Sequence, residues 1–239
     1  MKKVLLLVGA LLVLATPAMA GGVNIAWGLM CWSDMAVQTN LTTFACNSNV
    51  GNRSAVISFV PSYAMPEFVG IEVYLIGQTD DPVAVPLWWS LSSTDGCRKT
   101  SLSASADFTT YAGANCFDPW YGAALGGIGA YTIDGRVASC IGAWALAAPS
   151  PLEANVEYTG ARLTINNLAT LGTACPGCSI GFLWGIHHFK AAEYTQYEMY
   201  YDAPPGGNQC LNWNNSIQPC AAPVPARNTT WGQVKSLYR

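Results

Sequence analysis

The sequence predicts an all-β fold, a disulfide-stapled β-sandwich or jelly roll with mainly antiparallel strands. Three observations carry that expectation. Apolar and polar residues alternate over short runs, Gly/Pro-rich turns recur at short intervals, and the chain holds nine cysteines. No internal repeat or amphipathic helix pattern stands out, which argues against a parallel α/β sheet and leaves a closed barrel as the variant.

The chain opens with Met1-Lys2-Lys3, runs apolar from Val4 to Ala15 and reaches Ala18-Met19-Ala20. A short basic segment, an apolar run too short to span a bilayer and a small-x-small site spell a secretory signal over residues 1–20. An uncleaved anchor is the competing reading, disfavoured because no stop-transfer charges follow Ala20. Residues 21–220 are expected to form a single β-sandwich domain, and residues 221–239 a Pro/Ala linker and C-terminal tail.

Within the domain, Val23 to Trp27 alternates as a first strand and Ser54 to Val60 as a second, stopped by Pro61. Gly70 to Gly77 is a third, with Ile71, Val73 and Leu75 set against Glu72, Tyr74 and Ile76. Leu87-Trp88-Trp89, after Pro86, opens the next element. Ala106 to Thr110 reads as a short strand and Phe117 to Ala130 as a loop rich in glycine and aromatics. Arg136 to Ala147 reads as a strand that Pro149-Ser150-Pro151 breaks. Tyr158 to Met199 reads as a central hairpin: a half-buried strand through Ile165, turn material to Cys178, then a strand from Ile180 that is apolar on both faces.

Export with nine cysteines implies disulfides. Sequence proximity pairs Cys31 with Cys46, Cys97 with Cys116, and Cys210 with Cys220, each closure contributing about 3 kcal/mol if unstrained. For the rest, either Cys175 bonds Cys178 and Cys140 stays buried and free, or one of the close pair bonds Cys140. An odd cysteine could also cross-link two chains.

Charge excludes several functions. Removing Lys2 and Lys3 from the 11 basic residues leaves nine against 14 acidic ones, with no basic run or patch. Nucleic acid is therefore not an expected partner. The glycines of Phe117 to Ala130 do not make a phosphate cradle, because no strand-loop-helix unit contains them. Cys175-x-x-Cys178 with His187-His188 invites zinc, but export favours disulfides and adjacent histidines on a strand point to opposite faces. No metal and no cofactor is expected. Asp80-Asp81 and Asp134-x-Arg136 read as ordinary turns rather than a calcium loop. Neither a carboxylate pair nor a serine nucleophile stands out by spacing, so an enzyme is unsupported.

Nine tryptophans and 11 tyrosines raise a sugar-binding reading, since flat rings beside Asn or Asp make up extracellular carbohydrate sites. The candidate ligand-binding residues are Trp88, Trp89, Asp118, Trp120 and Tyr121. Core packing and turn filling compete for the same residues. Asn-x-Ser/Thr triplets at Asn40, Asn52, Asn214 and Asn228 read as chance matches behind a lysine-led, bacterial-looking signal.

Phe44-x-Cys46, Ser58-Phe59-Val60-Pro61, Pro86-Leu87-Trp88-Trp89, Cys97-Arg98, Cys116-Phe117-Asp118-x-Trp120 and Cys175-x-Gly177-Cys178 together resemble a group of exported, uncharacterised proteins of uncultured bacteria. Members of that group often carry one more cysteine after the Cys-x-Gly-Cys element, where this chain has Ile180, Gly181 and Phe182. That departure accounts for the odd cysteine, with Cys140 the first suspect. The tail Thr230-Trp231-Gly232-x-Val234-Lys235-x-Leu237-Tyr238-Arg239 resembles an ending of such exported proteins, and a sorting or attachment signal competes there with a plain chain end. The resemblance implies export and a β fold and brings no activity.

The functional expectation is a noncatalytic module, secreted or at the bacterial cell surface, that binds glycan or another extracellular component. A carbohydrate-active enzyme on a jelly-roll scaffold is the alternative. A third reading is a self-associating structural subunit, whose signature would be a long uncapped edge strand or an exposed Cys140.

Overall fold

A computed structural model describes residues 22–29, 31, 40–110, 116–195, 198–201 and 210–218, of which 198–201 are described by their backbone alone. The leader, Cys220 and the C-terminal tail lie outside the described residues, so the expectations for them stand as stated.

The strands are β1 (Gly22–Trp27), β2 (Leu41–Thr42), β3 (Asn52–Val60), β4 (Met65–Thr79), β5 (Leu102–Ser105), β6 (Leu125–Asp134), β7 (Val137–Leu152), β8 (Tyr158–Asn166), β9 (Phe182–Glu193), β10 (Glu198–Tyr201) and β11 (Cys210–Trp213). They form two sheets. One has four strands in the order β1-β3-β8-β5; the other has seven, in the order β2-β11-β9-β4-β7-β6, with β10 beside β9. Among the named strands only β2 and β11 pair in parallel. The fold is an all-β, mostly antiparallel, disulfide-bonded sandwich.

Alternation explains the layers. Val23 and Ile25 of β1 lie opposite Phe59 and Ile57 of β3, and Ile57 in turn lies opposite Ala161 of β8. All are buried, as are Ile71, Val73 and Leu75 of β4 and Phe182, Trp184, Ile186 and Phe189 of β9 from the facing sheet. At about 25 cal/mol per Å² of apolar area removed from water, this shared core is the main stabilising term. Strand β9 is central in its sheet, between β4 and the β10 and β11 pair, which is why its residues are apolar on both faces.

Several expectations are corrected. Strands β8 and β9 are not a hairpin: β8 pairs with β3 and β5, and β9 with β4, β10 and β11, in opposite sheets. The residues between them cross from one layer to the other. Ala106 to Thr110 is not a strand; the short strand is β5, a few residues earlier. The second half of the expected loop from Phe117 to Ala130 belongs to β6, where glycines weaken the strand pattern without abolishing it. Strand β7 runs through Pro149 and Pro151. Its partner β6 ends its pairing at Ala145, so two prolines spaced two apart sit where the strand has one free edge.

The cysteine pairing also differs. Cys31 bonds Cys116, Cys46 bonds Cys178, and Cys97 bonds Cys175. Cys175 and Cys178 therefore tie one loop to two distant segments rather than to each other. Cys210 is disulfide-bonded as well, and Cys140 is a free, buried thiol. Sandwich strands adjacent in space come from distant parts of the chain, so for these six cysteines proximity in sequence was the wrong guide. Disulfides of this span are the chemistry of an oxidising, extracytoplasmic compartment.

Candidate functional site

The three tryptophans of the expected ligand site are core residues. Pro86 sets the start of a 3₁₀ turn, Leu87–Trp89, which drops both indoles between the sheets at one end of the sandwich. Trp88 and Trp89 meet edge to face with centroids 4.8 Å apart, and Trp89 stacks on Phe182 at 4.3 Å. The Trp88 Nε1 donates to Thr170 Oγ1 at 3.1 Å. Trp120 is buried against Phe68, and its Nε1 donates to the carbonyls of Thr159 and Gly160. Neither the Trp88–Trp89 pair nor Trp120 has an open face, so sugar stacking on Trp88, Trp89 or Trp120 is ruled out in this structure. A turn, rather than a strand, lets two successive tryptophans both point inward.

Asp118 and Tyr121 do reach the surface, and burial of Trp120 is what puts them there. With that indole anchored inside, Asp118 Oδ1 accepts the Trp120 N–H at 2.9 Å and closes the turn. Tyr121 then takes a left-handed backbone, φ 50°, followed by Gly122 at φ 73°. Its ring is 78% exposed, and Phe117 at the other end of the turn is 63% exposed. The Phe117 ring lies 6.2 Å from that of Tyr158, which is itself held by an N–H bond from Glu153 to the Tyr158 hydroxyl at 2.7 Å. Two large rings thus project from one rigid turn. Phe117 was absent from the sequence-based set, although it stands directly between Cys116 and Asp118.

Two carboxylates flank these rings with opposite electrostatics. Partial burial raises the pKa of Asp118, and the nearby Asp107 charge adds to that, while N–H bonds from Trp120 and Tyr121 oppose it. Asp107 is held below the usual carboxylate range, chiefly by the Thr109 hydroxyl, which donates at 2.6 Å, and by the Thr109 N–H at 3.0 Å.

A concavity of about 440 Å³ opens between β5 and β6 at the rim of the two sheets. Leu91, Leu102, Ile128 and Tyr131 form its apolar walls, and Ser92, Ser93, Thr94 and Ser103 bring hydroxyls. The Tyr131 hydroxyl is already donated to the Trp89 carbonyl, so Tyr131 offers the cleft its ring and no donor.

No zinc site forms from Cys175 and Cys178, which sit in separate disulfides. Among the described residues no group of three His, Cys, Asp or Glu side chains could hold a metal. Asp81 accepts the N–H groups of Val83 and Ala84, the ordinary turn expected of it. Asp80 instead clamps the end of the domain, accepting from Ser216 Oγ and the Ile217 N–H, both at 2.9 Å.

No family model and no curated protein matches the chain. Among solved structures, a type II cohesin domain from the cellulosome of Acetivibrio cellulolyticus is similar at 9% identity and a TM-score of 0.36, over 82% of this chain and 96% of that chain.

Proposed function

We propose that the protein is a noncatalytic extracellular module that binds glycan through the turn Phe117 to Tyr121. The observation that carries the reading is the pair of exposed rings, Phe117 and Tyr121, presented on either side of Asp118. Flat apolar faces cover the C–H faces of a sugar ring, and a carboxylate accepts from its hydroxyls. Anchoring by the buried Trp120 preorganises the turn, which lowers the ordering cost of binding.

The test is a glycan array with the purified, oxidised, exported chain, beside Phe117→Ala, Tyr121→Ala and Asp118→Asn variants. Near-UV circular dichroism of the tryptophan cluster reports on folding. Binding that falls at least about tenfold in each folded ring variant is expected. A blank array, or binding that both ring variants retain, defeats the reading.

One observation favours a hydrolytic alternative at the same place. Asp118 and Asp107 have pKa values displaced in opposite directions, the arrangement by which one carboxyl donates a proton while its neighbour stays ionised. Release of new reducing ends from a bound glycan, abolished by Asp107→Asn, would move the assignment to a glycosidase.

A further inference from the structure

The seven-stranded sheet is wider than the four-stranded one, and β6 is the outermost strand at one of its two edges, with β2 at the other. None of the ten residues of β6 is buried. Among the described residues β6 pairs with β7 alone, so its other side presents a row of backbone donors and acceptors. Edges of this kind are ordinarily guarded by charges, prolines or short length. From Leu125 to Ile133 the strand has neither charge nor proline, and β7 behind it carries no charged side chain along its 16 residues. The guard present is a register shift between Ile128 and Ala130. Exposed apolar side chains lie on both faces of this edge: Leu125 (72%) with Ile141 (42%) of β7 on the outer face, and Ile133 (40%), opposite the buried Ala138, on the other.

We infer that β6 pairs antiparallel with β6 of a second copy of this chain about a two-fold axis. A two-fold contact sets one patch against itself, so every charge within it would face its own kind. A strand that is uncharged over nine consecutive residues meets that requirement, and it offers nothing to a charged partner. Pairing would join the two seven-stranded sheets edge to edge and satisfy the free backbone groups of both. It would also cover Leu125 and Ile133. The buried Cys140 plays no part, because its thiol cannot reach another chain.

The test is sedimentation of the oxidised, exported chain over rising concentration, with Gly127→Lys and Gly129→Lys variants. A side chain at Gly127 meets nothing within 4 Å, and one at Gly129 meets only the Ile141 carbonyl at 3.9 Å, so the protomer tolerates both. A dimer is expected for the parent chain at micromolar concentration, with the dissociation constant raised at least about tenfold by either lysine. A parent chain that stays monomeric overturns the inference, as does a dimer that both lysines leave intact.

Discussion

The Arg98 guanidinium lies over the Trp88 ring, its Cζ 3.8 Å from the centroid, at the end of the sandwich where two disulfides converge. Its nitrogens donate to the carbonyls of Leu168 at 2.8 Å, Trp88 at 3.0 Å and Asn166. One planar cation thereby joins the tryptophan turn to the segment after β8. Burial lowers its pKa to about 10.

Removing that cation leaves three carbonyls without their donors in a buried site. Arg98→Met is expected to cost about 3–5 kcal/mol, and Arg98→Lys a large part of that, because an ammonium cannot fork to three acceptors. The midpoint of urea unfolding at unchanged slope measures it.

Trp88 and Tyr121 were equivalent candidates in the sequence and are opposites in the fold. Trp88→Ala empties a fully buried indole site and is expected to lower stability by about 3–5 kcal/mol. Tyr121→Ala is expected to change stability by less than about 0.5 kcal/mol. Thermal unfolding of the two variants separates a packing residue from a binding residue before any ligand is known.

Burial pushes the Cys140 thiol up to about 12. The folded state therefore holds this proton more tightly than the unfolded chain. Its contribution to stability is complete below the ordinary thiol value and is lost as pH rises from there through about 12. Thiol titration is expected to find Cys140 unreactive in the native protein at pH 8 and reactive in denaturant. Cys140→Ser, which buries a hydroxyl in the apolar core, is expected to cost about 1–3 kcal/mol.

Peptide mapping of the unreduced chain is expected to recover the links Cys31–Cys116, Cys46–Cys178 and Cys97–Cys175. Replacing both Cys97 and Cys175 by serine releases a closure of 78 residues and is expected to cost about 4.5 kcal/mol on the loop-entropy account.

Asp118 carries a raised pKa, so the folded state binds its proton more tightly than the unfolded one. Ionisation thus subtracts stability as pH rises through the folded value, the reverse of a salt-bridged carboxylate. Asp118→Asn is expected to leave stability at neutral pH unchanged or higher, since the amide oxygen still accepts the Trp120 N–H. If the carboxylate accepts sugar hydroxyls, parent affinity falls on acidification through this range while that of Asp118→Asn stays flat. Calorimetric titration at a series of pH values reads both curves.

The sequence by itself determined the fold class and the local strands. Val23 to Trp27, Ser54 to Val60 and Gly70 to Gly77 were legible as strands because apolar residues recur along them with period two, even though the middle of β3, from Ala55 to Phe59, is buried on both faces. It also determined that β9 is central, because Phe182, Leu183, Trp184 and Ile186 leave no face for water. Of the candidate site, Asp118 and Tyr121 were legible as turn residues. Tertiary structure decided what depends on partners distant in the chain: which sheet receives β8 and β9, which cysteines meet, and which aromatic rings are buried. Trp88, Trp89 and Trp120 look the same as Tyr121 in a list of aromatics. They differ because a 3₁₀ turn after Pro86 and an N–H bond to Asp118 aim three indoles into the space between the sheets, and that space exists only once the two layers have packed.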